Sequence, residues 1–176
     1  METNRKEKKM IFTSENKTEK NKNKISGIIF YGSALCNLSC SYCYISKNNT
    51  LSKIDNEIQQ MFIDKTYIDF IEEVLIKTDS KFSDIKRLEF WGGEPFIGIH
   101  NFLDNSSELL EKLDLQKVSV SSNFVSNKML ENTFKFFETF NNHGKQRQHP
   151  IVIDFQISID GNTEITDCNR GQKKKK

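Results

Sequence analysis

The sequence predicts an α/β fold with a parallel sheet, because four short apolar runs alternate with segments of helical periodicity and turn-forming residues close each run. Strands separated by helices are joined by right-handed crossovers, so the pattern reads as repeated β/α units. The first run is Ile25 to Tyr31 (ISGIIFY), followed by a loop rich in cysteine. Asp64 to Thr78 then carries Ile68, Ile71 and Leu75 at helical spacing, with Asp64 placed to cap the N-terminus. Arg87 to Trp91 is the second strand, cut short by Gly92, Gly93 and Pro95. Phe102, Leu103, Leu109, Leu110 and Leu113 mark a second helix, and Val118 to Ser122 a third strand. A third helix is expected to gather Leu130, Phe134, Phe137 and Phe140 on its buried face. The fourth strand, Ile151 to Ile159, ends at Asp160 and Gly161.

Alternation within the strands adds to this. In the fourth, Ile151, Ile153, Phe155, Ile157 and Ile159 share one face, while Asp154, Gln156 and Ser158 share the other. Leu88 and Phe90 oppose Glu89 and Trp91, and Val118 and Val120 oppose Ser119 and Ser121. A parallel sheet sandwiched by helices is apolar on both faces. One polar face means either an edge open to solvent or, the reading favoured here, a curved sheet around a polar, ligand-filled lumen.

Composition bounds the function. The chain has 176 residues, 36% hydrophobic residues and a formal net charge of only +2. Residues 1–24 are mostly Lys, Asn, Glu and Thr, too polar to offset their ordering entropy, and are expected to form a disordered basic tail. Residues 25–170 then form the folded core, and 171–176 a Lys-rich end. Acids and bases alternate inside the core, which argues against a nucleic-acid partner. The basic arm either touches RNA or anionic lipid or simply maintains solubility. No apolar h-region follows the charged start, and no run reaches the length of a membrane span. A cytoplasmic, membrane-free protein is expected, with its thiols reduced. His100, His143 and His149 fall in or beside expected loops and read as solvent-exposed bystanders.

Three of the four cysteines cluster in Cys36-Asn37-Leu38-Ser39-Cys40-Ser41-Tyr42-Cys43, on a loop leaving the C-terminal end of a strand. In a reducing compartment such a cluster reads as metal ligation. A structural zinc site wants four protein ligands, and an electron-transfer [4Fe–4S] cluster normally takes four cysteines. Three leave one iron open, as catalysis requires. Spacing alone leaves a catalytic cluster and another metal site both standing, with Cys168 either a fourth ligand or a small buried hydrophobe. Trp91-Gly92-Gly93-Glu94-Pro95 follows the second strand on the same edge. There two glycines permit close approach to the backbone, and the Glu94 carboxylate lies beside them as a partner for an ammonium group.

The spacing C-x3-C-x2-C, the aromatic Tyr42 before the last cysteine, and GGEP after the next strand resemble the radical S-adenosylmethionine (SAM) superfamily. CNLSCSYCY, WGGEPF and ISIDG with Asp167 and Arg170 behind it resemble its SPASM-type branch: anaerobic sulfatase-maturating enzymes and related peptide maturases. The resemblance covers about Ile25 to Arg170. It implies that Cys36, Cys40 and Cys43 ligate three irons of a [4Fe–4S] cluster whose fourth iron takes the amino and carboxylate groups of SAM. It implies that Tyr42 lies against the adenine and that Gly92, Gly93 and Glu94 contact the methionine amino group. Ser158 and Arg170 match positions that touch the ribose and the methionine carboxylate. Asn123 matches an asparagine followed by glycine in the family, where this chain has Phe124. Residue chemistry alone reads Ser158 and Asn123 as strand-end hydrogen-bonding groups and Arg170 as half of an ion pair. The implied reaction passes one electron from the reduced cluster to SAM, releasing methionine and a 5′-deoxyadenosyl radical that abstracts hydrogen from a peptide or protein substrate. A flavodoxin or ferredoxin is the implied reductant.

The implied architecture is a partial (β/α) radical SAM barrel, with about four parallel units of the usual six. On that reading the chain is an N-terminal fragment or a truncated reading frame. Two other classes stand beside it. One is a non-catalytic iron–sulfur or zinc module using Cys168. The other is a chain that completes its barrel on a partner through the open edge of the fourth strand.

Overall fold

The computed structural model describes residues 11–13, 24–43, 45, 51–124, 127–147 and 149–171. In chain order the elements are β1 (Ile11–Thr13), β2 (Gly27–Ser33), α1 (Leu51–Ile63), α2 (Thr66–Lys77), β3 (Arg87–Gly92), α3 (Ile99–Asn105), α4 (Ser107–Lys112), β4 (Lys117–Ser122), α5 (Asn127–Gln146), β5 (Val152–Ile157) and α6 (Thr163–Arg170). They form one sheet in the order β1-β2-β3-β4-β5, and all pairs from β2 to β5 are parallel. The four expected strands are all present. The expectation for residues 1–24 is corrected at Ile11–Thr13, which pairs antiparallel with β2 through Ile11 opposite Ile29. Backbone bonding to an unpaired strand edge stabilises this piece where its composition alone does not. The rest of that tail up to residue 23, and residues 172–176, lie outside the described residues.

Each crossover moves one strand further in the same direction. With right-handed crossovers, that order keeps the connecting helices on a single face of the sheet. Ile28, Phe30, Leu88, Phe90, Val118 and Val120 are buried there, joined by aromatic residues from the helices. Phe30 stacks on Phe90 and meets Phe102 at 5.0 Å, and Phe136 and Phe140 pack edge to face at 4.8 Å. The opposite face is polar: Lys117 pairs with Asp154 at 2.9 Å, Ser121 donates to Gln156 at 2.8 Å, and Trp91 is 44% exposed.

The helices depart from the sequence reading in informative ways. The Asp64 cap is not formed: Asp64 accepts a hydrogen bond from Gln60 at the end of α1, and Lys65 opens α2 with φ of 59° and no side-chain cap. The single helix expected around Phe102 to Leu113 is two, broken at the buried Ser106, whose hydroxyl donates to the Leu103 carbonyl. On α5 the buried face is Met129, Thr133, Phe136, Phe140 and His143, while Leu130, Phe134 and Phe137 are 47%, 72% and 42% exposed. Phe140 is buried as expected, but at the other three positions the preceding neighbours Met129, Thr133 and Phe136 face inward instead, a shift of about 100° around the helix. Thr133 fits inside because its hydroxyl donates to the Met129 carbonyl at 2.7 Å. His143 is therefore no exposed bystander: it is buried, and its Nε2 has no hydrogen-bond partner among the described residues.

Two measurements follow from this packing. Phe136→Ala should cost about 3–5 kcal/mol in chemical denaturation, and Phe134→Ala less than about 0.5 kcal/mol; the reverse order would restore the sequence-based register. Burial holds His143 below its ordinary value of 6.5, helped by Arg147 and opposed by Glu111. The unfolded chain thus takes up a proton near pH 6.5 that the folded chain resists. Stability should be full above that pH and fall as pH drops below it, and His143→Gln should flatten that limb of the pH–stability curve.

Candidate functional site

The C-terminal ends of β2, β3 and β4 meet at one residue, Glu94. Its backbone N–H donates to the Leu35 carbonyl at 2.7 Å, and the Gly93 N–H donates to Ser33 at 2.9 Å. Its carboxylate accepts from the Ser122 hydroxyl (2.8 Å), the Asn123 N–H (2.8 Å) and the Phe96 N–H (3.2 Å). The residue is only 1% exposed, and burial raises its carboxyl above the usual range against the pull of those bonds. The carboxylate expected to lie open beside the glycines is instead turned into the protein. The glycines serve the same junction: a Cβ on Gly92, whose φ is +140°, would stand 2.1 Å from the Ser33 carbonyl oxygen, and one on Gly93 would stand 2.4 Å from that of Leu35. What approaches this backbone is the start of the cysteine loop.

That loop is held from both sides. On β2's side, Asp55 of α1 accepts from the Ser33 hydroxyl and the Ala34 N–H, both at 2.7 Å. Asn123 donates through Nδ2 to Asn37 at 2.9 Å and to the Cys36 Sγ at 3.8 Å, and the Leu38 N–H donates to the same sulfur at 3.4 Å. On the far side, Ser39 and Ser41 donate their N–H groups to the carbonyls of Gly171 and Asn169, at the C-terminal end of α6. Neither α1 nor α6 stands out in the sequence, since Asp55 and Asp167 interrupt their apolar patterns.

Cys36, Cys40 and Cys43 are all half-buried, whereas Cys168 is exposed on α6. Burial pushes the Cys36 thiol up, eased by the Leu38 N–H and reinforced by the charges of Glu94, Cys40 and Cys43. Burial also raises Cys40, with the Arg170 charge opposing and Cys43 adding. No three His, Cys, Asp or Glu groups among the described residues close on a single metal ion. A cubane cluster sets a different demand, because each thiolate binds its own iron and the sulfurs stand further apart. Three half-buried thiols on one loop, with N–H donors aimed at Cys36, fit such a cluster.

Beside the loop lies a cleft of about 530 Å³, within the range of small-molecule sites. Its lining includes Leu38, Asn123, Ile157, Ser158, Asp167 and Arg170. Three of the expected contact residues, Asn123, Ser158 and Arg170, are thus brought together; Tyr42, Gly92, Gly93 and Glu94 are not part of that wall. Asn123 is followed by Phe124 at φ of 53°, the left-handed conformation that glycine adopts without cost. Its ring packs on Phe96 at 5.5 Å and Phe155 at 5.6 Å, which offsets the strain. Tyr42 is 55% exposed and donates its hydroxyl to Asp160. Its phenol is pushed up to about 12 by loss of solvent and by that bond.

A model of a protein family described as a 4Fe-4S single cluster domain matches residues 27–175. Neither the comparison with curated proteins nor that with solved structures gave a match. No helix among the described residues is long and apolar enough to cross a membrane.

Because the Glu94 carboxylate satisfies three buried donors, Glu94→Gln places an amide N–H₂ against at least one of them. The substitution should cost about 1–3 kcal/mol in urea denaturation. Stability equal to the parent's would mean that the three strand ends are held together by something else.

Proposed function

The chain belongs to the family of 4Fe-4S single cluster domains, and from that premise we propose that it is a radical SAM protein of the SPASM-like, peptide-modifying kind. The observation that carries the proposal is the cleft beside the cysteine loop, walled by Asn123, Ser158 and Arg170. A cluster on three cysteines keeps one iron for a non-protein ligand, and the adjacent cleft is large enough for a nucleoside.

In this reading Cys36, Cys40 and Cys43 hold three irons. The N–H groups of Leu38 and Asn123 that reach the Cys36 sulfur draw off negative charge and favour the reduced state. Arg170 faces the carboxylate of SAM, Ser158 and Asn123 take its ribose hydroxyls, and the exposed Tyr42 ring flanks the adenine. Gly92 and Gly93 act through their main chain at the methionine end. Glu94 acts from behind, fixing Asn123 through its backbone N–H. Leu38, Ile157 and Ile159 supply the apolar part of the cleft wall. When bound, the cluster and SAM together supply the electron transfer and C–S cleavage that generate a hydrogen-abstracting radical. The substrate class is a peptide or protein segment reaching the cleft from the polar face of the sheet. A flavodoxin or ferredoxin in a reducing cytoplasm is the matching electron donor.

Anaerobic reconstitution with iron and sulfide tests this. A brown protein with about four irons is expected, with a reduced EPR signal that shifts on adding SAM. Cys36→Ala, Cys40→Ala and Cys43→Ala should each abolish it, and Cys168→Ala should leave it intact. A colourless zinc protein overturns the cluster, and a cluster indifferent to SAM overturns the cofactor assignment. Formation of 5′-deoxyadenosine in the same sample reads out turnover.

A further inference from the structure

The contacts among Tyr42, Asp160 and Arg170 are not accounted for by cluster ligation or by the cleft wall alone. Asp160 follows β5, and Arg170 ends α6. The Arg170 Nε donates to an Asp160 oxygen at 2.7 Å, and both side chains are largely buried. The Tyr42 hydroxyl reaches both Asp160 oxygens, at 2.9 and 2.8 Å. The Arg170 guanidinium lies over the Tyr42 ring, 5.5 Å from its centre. The same end of α6 receives the Ser39 and Ser41 N–H groups through the carbonyls of Gly171 and Asn169. The Tyr42–Asp160 hydrogen bonds, the ring contact and the two backbone bonds thus join the segment bearing Cys40 to the β5–α6 segment, and Asp160 ties Tyr42 and Arg170 together.

We infer that Asp160 is a positioning residue: by holding Nε of Arg170 it aims the terminal nitrogens at a carboxylate-bearing ligand in the cleft, and by holding Tyr42 it locks the cysteine loop onto α6. Guanidinium is a rigid planar fork, so fixing its Nε edge fixes the direction of its other edge. A lysine in place of Arg170 would have no such second edge. Asp160 itself does not line the cleft, so its effect on a ligand passes through Arg170. The loop-locking half concerns the chain alone; the ligand half rests on the SAM reading proposed above.

The two halves are tested separately. In the cluster-free chain, Asp160→Asn should speed hydrogen exchange at the Ser39 and Ser41 amides while leaving the Val118 and Val120 amides of β4 unchanged. Unaltered exchange at Ser39 and Ser41 overturns the lock. In reconstituted protein, Asp160→Asn should weaken SAM about tenfold but change affinity for 5′-methylthioadenosine, which lacks the amino-acid carboxylate, by less than about twofold. Adding Asp160→Asn to Arg170→Ala should cost nothing more. Equal weakening of both ligands, or additive losses, overturns the aiming role. If the parent protein takes up a cluster and ignores SAM, the cofactor assignment fails instead, and the exchange experiment alone decides the role of Asp160.

Discussion

A buried carboxylate that accepts three hydrogen bonds, on a backbone that also donates one, is the constraint from which the rest of the site is built. Glu94 binds the exit of β2 through Leu35 and the exit of β4 through Ser122 and Asn123, while itself following β3. Parallel strands have no hairpins to tie their ends together, and here one side chain bridges them. Removing this carboxylate from water is costly unless its oxygens are occupied, and here the partners come from the strand ends themselves. The same bonds that satisfy Glu94 therefore set the positions of Asn123 and of the first turn of the cysteine loop. The glycine pair belongs to this logic: any side chain at Gly92 or Gly93 would push β3's exit away from β2's and strand the carboxylate.

Strand order then decides where chemistry is possible. Because β2 to β5 follow one another in space as in sequence, the helices that connect them share a face and leave the other polar. Loops at the C-terminal edge converge where Asn123 and Ser158 continue the polar faces of β4 and β5. The cleft lies where two strand ends and the α6 terminus meet the cysteine loop.

Much of this was legible from residue order. Short apolar runs set between helical periodicities mark the four parallel strands, and the cysteine spacing with GGEP marks the loop and its neighbour. The failures have physical causes. α1 was missed because its inward position Asp55 is polar, recruited to fix Ser33 and Ala34. α5 was misregistered because it carries apolar residues on two faces, and the buried one includes Thr133 and His143, which a hydrophobicity pattern discounts. Ile11–Thr13 gave no signal because its stabilisation comes from pairing with β2, not from its own composition. The Glu94 carboxylate was read as facing a ligand because sequence shows a charge and not its direction.

The two anchors of the cysteine loop also give its sulfurs different surroundings. Cys36 lies on the Glu94 and Asn123 side, within reach of a buried negative charge and two N–H donors. Cys40 lies on the α6 side, within reach of the Arg170 cation and the Asp160 anion. N–H donors and low exposure act on the Cys36 end, and a compensated ion pair acts on the Cys40 end. The cysteine loop is therefore flanked at its Cys36 end by strand-end packing and at its Cys40 end by a salt bridge, the surroundings a cluster on these cysteines would have. That salt bridge is built from residues of the cleft wall and its support. Arg170 thus belongs at once to the wall of the cleft and to the charged surroundings of Cys40, so one side chain links the two parts of the site without any movement of the sheet.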